Sequence, residues 1–292
     1  MGFARDLTFA IALSASASAR ANPQPCVPSG PSKLLELHDD RLDFCIGDDG
    51  QPCFSFDLAS GRFADRTGTP SPPHPPTFVP DPAQPTLAFR DDGISVCRAD
   101  RSQCKLLPLG NEQLAHGVAV SASGRIAAVW SAKRGHEVRT FDVATGALLG
   151  RFEAGPISDF STDVEFAGET LVVLSATGVP ETAWLATETG KRLGELGDVQ
   201  PFYVSNLHPV HVRGDVWAFA GAFGDKLVLH DVVTGALIKA VKLGPKRSFG
   251  HAQLLADGKR IVVVYPDDTG AEVTTIDEKT YAVRHYTPAR CH

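Results

Sequence analysis

A five-residue turn signature recurs along this chain, and its period limits the fold more than any other feature. Asp142-Val143-Ala144-Thr145-Gly146 returns as Asp231-Val232-Val233-Thr234-Gly235. Between them lies Ala186-Thr187-Glu188-Thr189-Gly190, and upstream stands Asp57-Leu58-Ala59-Ser60-Gly61. Downstream, Asp277-Glu278-Lys279-Thr280 keeps the start of the signature and loses its Gly. The last three spacings between first positions are 44, 45 and 46 residues. The first spacing, 85 residues, is almost twice as long, and its midpoint falls at Asp100, where a degenerate sixth copy is expected. Each copy is a turn, because the Asp carboxylate can accept from a backbone N–H further along and Gly takes the positive φ that closes it.

Ahead of each signature comes an apolar run: Arg125-Ile126-Ala127-Ala128-Val129-Trp130, Leu171-Val172-Val173-Leu174, Val216-Trp217-Ala218-Phe219 and Ile261-Val262-Val263-Val264-Tyr265. Unbroken apolar runs of this length read as strands buried on both faces. After each signature comes a partly charged strand such as Ala236-Leu237-Ile238-Lys239-Ala240-Val241-Lys242, suited to an outer edge. Four antiparallel strands every ~44 residues make the blade of a β-propeller. The expected fold is therefore all-β: a propeller of six four-stranded antiparallel blades, with seven the alternative count. Residues 33–292 form one domain in this reading, after an N-terminal segment over 22–32. With 27 Gly, 21 Pro and a single Met, the composition suits many turns and few helices. One stretch interrupts the period. Eight prolines between Thr69 and Pro85 predict an extended surface loop at 69–85 that replaces the innermost strand of the second blade.

The signature turns and the strands leading into them, Val138-Arg139-Thr140-Phe141-Asp142 and Leu227-Val228-Leu229-His230-Asp231, resemble those of WD-repeat-like and YVTN-type bacterial β-propellers. The Trp-Asp dipeptide of true WD repeats is absent, since no Trp here precedes an Asp, so the resemblance reaches the superfamily and no single family. It implies a propeller fold and a habit of binding, with no reaction attached.

The first 21 residues read as a signal peptide. Arg5 supplies a positive start, Leu7 to Ala19 is uncharged, and Ala19-Arg20-Ala21 offers a small-x-small cleavage site. No segment reaches the length of apolar sequence that spans a bilayer, so no transmembrane segment is expected. Six cysteines fit an oxidising compartment, the bacterial periplasm or the extracellular space. Cys45 and Cys53 flank Asp48-Asp49-Gly50, and Cys97 and Cys104 flank Asp100-Arg101-Ser102, so each pair suits facing strands of a hairpin. Cys26 and Cys291 are then left to join the two ends of the mature chain.

A net charge of −6, with no basic run, argues against a nucleic-acid partner. Phosphate-binding loops, nucleophile elbows, HExxH and CxxC motifs are all missing. The Asp-Asp-Gly turns lack the acidic continuation of a calcium loop. His116, His208 and His251 each stand a few residues before an apolar strand, at nearly one repeat position, with Thr162-Asp163 at the corresponding place in another copy. In a propeller such positions converge on the central channel, where they could bind a divalent metal. His211 is a second candidate beside His208, and the competing reading makes these histidines packing groups of their own blades. Trp130, Trp184 and Trp217 read as blade-core residues. The leading expectation is an exported, monomeric, non-catalytic propeller binding a protein, peptide or glycan on one end face. The alternative is a propeller enzyme, a metal-assisted hydrolase or lyase at the channel, with His116, His208, His251 and Asp163 as its site. A quinone-dependent dehydrogenase fares worse, because three Trp cannot supply a docking motif in every repeat.

Overall fold

A computed structural model describes residues 26–27, 32–38, 40–46, 53–65, 86–90, 93–97, 104–108, 117–130, 137–154, 162–175, 182–197, 209–220, 225–244, 253–265, 272–287 and 289–290. All regular structure among them is β. A short strand β1 (Cys26–Val27) precedes sheet I, which comprises β2 (Ser32–His38), β3 (Arg41–Ile46), β4 (Cys53–Asp57) and β5 (Arg62–Asp65). Sheet II has β6 (Thr86–Arg90), β7 (Gly93–Cys97) and β8 (Lys105–Pro108). Sheet III has β9 (Gly117–Val120), β10 (Ile126–Trp130), β11 (Glu137–Asp142) and β12 (Leu148–Glu153). Sheet IV has β13 (Thr162–Ala167), β14 (Thr170–Ser175), β15 (Thr182–Ala186) and β16 (Arg192–Glu195). Sheet V has β17 (Val210–Arg213), β18 (Val216–Ala220), β19 (Lys226–Asp231) and β20 (Leu237–Lys242). Sheet VI has β21 (Gln253–Ala256), β22 (Arg260–Tyr265), β23 (Glu272–Asp277) and β24 (Val283–Tyr286). A final strand β25 (Ala289–Arg290) pairs in parallel with β1. Within each sheet, strands pair antiparallel in chain order.

The apolar second strands of sheets III to VI are buried on both faces because each of these sheets is packed between two others. Along β10, Ala127 and Val129 meet Ile94, Val96 and Leu107 of sheet II. The alternate residues Ala128 and Trp130 meet Val164, Leu171 and Val173 of sheet IV. Val172 and Leu174 turn the other way, onto Phe219 and Val228 of sheet V. Leu227 and Leu229 of sheet V meet Ile261 and Val263 of sheet VI. Val262 and Val264 then face sheet I, meeting Leu42, Phe54, Phe56 and Phe63. The last sheet thus packs on the first. An ion pair from Arg260 to Asp40 crosses the same junction, and the Phe56 and Tyr286 rings stand 4.9 Å apart across it. Sheets I and II show a different character on their remaining faces. Opposite in pleat to Leu42 is Asp43, 1% exposed, held by both guanidinium arms of Arg41 and by the Ser55 hydroxyl. Opposite in pleat to Ile94 and Val96 is Ser95, also buried.

The signature turns join third to fourth strands, and their chemistry repeats. The Asp carboxylate accepts from the backbone N–H three residues on: from Ser60 at 2.5 Å, Thr145 at 2.7 Å, Thr234 at 2.8 Å and Thr280 at 2.7 Å. The fifth residue returns its N–H to the Asp carbonyl with positive φ, supplied by Gly61, Gly146 and Gly235. In the copy without Gly, Tyr281 adopts φ 58° and still makes this bond, at 2.8 Å. An L-residue there costs about 1–2 kcal/mol of backbone strain. Tyr281 is retained through contacts that Gly lacks: Arg213 donates to its hydroxyl at 3.2 Å, and the Lys239 ammonium lies 5.8 Å from its ring centre. Where Ala186 replaces Asp the turn is tighter, and Gly190 bonds to the Thr187 carbonyl at 2.9 Å instead. These bonds hold the Asp carboxyls below their ordinary value, chiefly through the Thr145 hydroxyl for Asp142 and the backbone N–H of the fourth residue for Asp57, Asp231 and Asp277.

Two expectations are corrected. The Pro-rich stretch 69–85 does not replace the first strand of sheet II, because Thr86–Arg90 forms that strand directly after it. The stretch itself lies outside the described residues. Asp100 does not hold a signature turn either. It falls between β7 and β8, the second and third strands, whereas every signature links third to fourth. The long stretch before β6 shifts the period, so halving the 85-residue spacing lands one connection too early. Among the described residues the fourth strand of sheet II is missing. The cysteine expectation at that connection is met, since Cys97 and Cys104 form a disulfide. Cys45 and Cys53 sit directly opposite one another in the β3–β4 register. Cys26 lies in β1, paired with Ala289, two positions before Cys291, which is outside the described residues. Trp130 and Trp184 are core residues, each 6% exposed, while Trp217 is half-buried against the sheet IV–V core.

Candidate functional site

Antiparallel alternation puts the first-to-second and third-to-fourth turns at one end of every sheet. They are bonded to each other there. In four of the five signatures the second residue donates its N–H to the first hairpin turn of its own sheet: Leu58 to Asp40, Val143 to Arg125, Val232 to Asp215 and Glu278 to Lys259, at 2.7–3.0 Å, whereas Thr187 donates to the Lys191 carbonyl. Neighbouring sheets are joined at the same level. Ala122 bonds to the Gly168 carbonyl at 3.0 Å, and the Thr170 hydroxyl to the Val232 carbonyl at 3.0 Å. Arg213 donates to the Glu278 carbonyl at 3.0 Å, and Arg260 reaches Asp40. This belt runs from sheet III through IV, V and VI to sheet I. It fixes the base of the turns, leaving exposed residues such as Ala59, Ala144, Val233 and Lys279 standing on it. Short turns on a tied scaffold are where binding residues are commonly carried.

Of the proposed metal residues, Asp163 alone is among the described residues. Asp163 is the second residue of β13, opposite Leu174 in the ladder. His116, His208 and His251 lie outside the described residues, just upstream of β9, β17 and β21. First strands of neighbouring sheets do touch, β9 with β13 and β17 with β21. His211 has a structural engagement: its Nε2 lies 2.9 Å from the Gly214 carbonyl and its ring meets Trp217 edge-on at 5.4 Å.

Two buried titratable groups escaped the sequence reading. His230 occupies the position before the signature Asp, filled elsewhere by Phe56, Phe141 and Ile276. It is 2% exposed, its ring edge-on to Phe219 at 6.0 Å, and its Nδ1–H donates to the Gly235 carbonyl at 3.3 Å. Burial lowers its pKa, against a smaller opposing pull from that bond. The unfolded chain therefore binds the imidazole proton more readily. Stability contributed by neutral His230 is full above about pH 6.5 and is lost as the pH falls below it. Urea titrations at pH 5 and pH 7.5 should show His230→Phe losing part of the acid destabilisation seen in the wild type. An unchanged pH difference would mean that the imidazole titrates normally.

Glu278 stands where Leu58 and Val232 pack as second signature residues. It is 3% exposed, and its Oε1 has no hydrogen-bond partner among the described residues. Burial, then the nearby Asp257 carboxylate, raises its pKa, with Arg213, the Gly258 N–H and His211 pulling the other way. Because the folded state holds this proton more tightly, stability falls as the pH rises above about 4.3 toward the raised value. Glu278→Leu should stabilise the chain by about 1–3 kcal/mol at neutral pH, the cost of burying an unsatisfied polar group. A destabilised variant would show that the carboxyl has a partner after all.

No protein-family model and no curated protein sequence matches the chain. Solved structures do. BamB from Moraxella catarrhalis is 16% identical, with 70% of this chain and 63% of that chain covered, at a TM-score of 0.48. TolB from Acinetobacter baumannii is 15% identical over 88% of this chain and 69% of that one, at 0.42. A streptogramin B lyase is 14% identical over 92% and 86%, at 0.45. This chain therefore spans less than two thirds of the BamB chain.

Proposed function

We propose that this chain is an exported, monomeric β-propeller of six blades that serves as a non-catalytic binding module, taking a protein, peptide or glycan on one end face. The observation that carries the reading is the belt of tied turns, which gives one end a fixed base beneath exposed side chains. Six consecutive sheets, with the last packed on the first, support the blade count. The Cys97–Cys104 disulfide supports an oxidising compartment, as do the facing positions of Cys45 and Cys53. In this reading Cys45 bonds Cys53, Cys26 bonds Cys291, and residues 1–21 are removed on export.

Elemental analysis of the purified chain, without added metal or chelator, separates this reading from the catalytic one. A metal-free protein that binds saturably in a glycan or peptide screen is the expected result. One transition metal per chain, lost in His208→Ala/His251→Ala, would overturn it in favour of a metal site built from His116, Asp163, His208 and His251.

A further inference from the structure

The hairpin of sheet V departs from the other outer edges. Among the described residues five large apolar side chains are exposed, and three belong to this hairpin: Val233 at 59%, Leu237 at 54% and Ile238 at 45%. Strand β20 ends its sheet, bonded on one side to β19. Four consecutive residues, Leu237, Ile238, Lys239 and Ala240, are exposed, and Val241 alone of this strand is buried. In β12, β16 and β24 exposed positions are broken by half-buried ones after one or two residues. An exposed strand edge with apolar side chains is a template for another strand.

The charges say what kind of strand. Between Ala236 and Leu243 the only charged residues are Lys239 and Lys242, in a chain of net charge −6. Neither has an acidic partner among the described residues; Lys239 lies over the Tyr281 ring. One register of self-pairing is disfavoured by charge. Antiparallel self-pairing centred on Ala240 and Val241 sets Lys239 opposite Lys242 of the other copy, and like charges directly opposed are destabilising.

We infer that β20 is a docking edge for an extended acidic segment of a partner protein, which adds a fifth strand to sheet V with carboxylates opposite Lys239 and Lys242 and apolar side chains opposite Leu237 and Ile238. The inference rests on the binding-module reading and names a partner class and place for it, on the outer edge and distinct from the end face.

The test uses two labelled probes, Glu-Thr-Thr-Glu-Val-Val and Lys-Thr-Thr-Lys-Val-Val, blocked at both ends, with binding read by fluorescence anisotropy at low salt. The wild type should prefer the acidic probe by about tenfold or more, from two opposed charge pairs gained and two like-charge pairs avoided. Lys239→Glu/Lys242→Glu should invert that preference. Leu237→Ser/Ile238→Ser should weaken the acidic probe while leaving the fold unchanged by circular dichroism. Absence of preference, a preference that survives charge reversal, or wild-type dimerisation through β20 in sedimentation would each overturn the inference. Should an end-face ligand from the screen still bind while both probes fail, only the β20 inference is lost. A chain that carries metal and binds neither class of ligand removes the binding-module reading itself.

Discussion

Replacing Phe56 with Ala should destabilise the folded chain by about 3–5 kcal/mol, the usual cost of deleting a fully buried aromatic side chain. Phe56 is 0% exposed and sits where the chain's beginning meets its end. Its ring lies 4.5 Å from Phe63 within sheet I and 4.9 Å from Tyr286 of sheet VI, beside Val262, Val264 and Val273. Its contacts with Tyr286, Val262, Val264 and Val273 join residues some two hundred positions apart, so no short local connection holds them. The loss should appear as a lower urea midpoint, and hydrogen exchange should accelerate first in β4 and β22. A cost below about 1 kcal/mol would mean that sheets I and VI do not share a core.

Gly235→Ala is the second large effect, and it tests the contact between sheets IV and V. Gly235 has φ +75°, and a Cβ there would lie 2.4 Å from the Leu193 carbonyl carbon and oxygen and 2.7 Å from the Gly194 nitrogen. Those are backbone atoms of the neighbouring sheet, which cannot rotate away. Gly194 answers with its own missing Cβ, which would meet the Gly235 oxygen at 2.2 Å. Left-handed strain contributes about 1–2 kcal/mol and the clash about 1–3 kcal/mol more. Gly146 is the control, because it has φ +73° but its Cβ would meet only a Leu107 methyl at 3.8 Å. Gly146→Ala should cost the strain alone. Equal urea midpoints for the two variants would contradict the close approach of sheets IV and V.

The parts of this fold legible in the sequence are those fixed within one repeat. The apolar runs at Ile126, Leu171, Val216 and Ile261 became the second strands, because burial on both faces demands unbroken apolar sequence. The signature turns were legible for the same reason, since their hydrogen bonds close within five residues. The Cys97–Cys104 bond spans a single strand connection. What could not be read depends on matching repeats across a break in the period. The Pro-rich stretch displaced the count, so Asp100 was assigned to the wrong connection. His230 and Glu278 look ordinary in a linear reading, because His and Glu are common on strand ends. The structure shows that both side chains are buried at positions held elsewhere by Phe, Leu or Val. Asp43 is similar, a buried charge whose partners Arg41 and Ser55 come from its own and the adjacent strand.

The central claim is that these sheets close into a ring, which alone brings the first and last repeats together and completes the end face. Spin labels carried by non-cysteine amino acids at Ala59 and Lys279, the exposed third signature residues of sheets I and VI, measure it directly by pulsed dipolar spectroscopy. Sheets pack about 10 Å apart, so neighbours in a ring should give a distance distribution centred at about 15–25 Å. An open row of six sheets would place the same turns about 50 Å apart, five spacings away, and a distribution centred there would contradict the account.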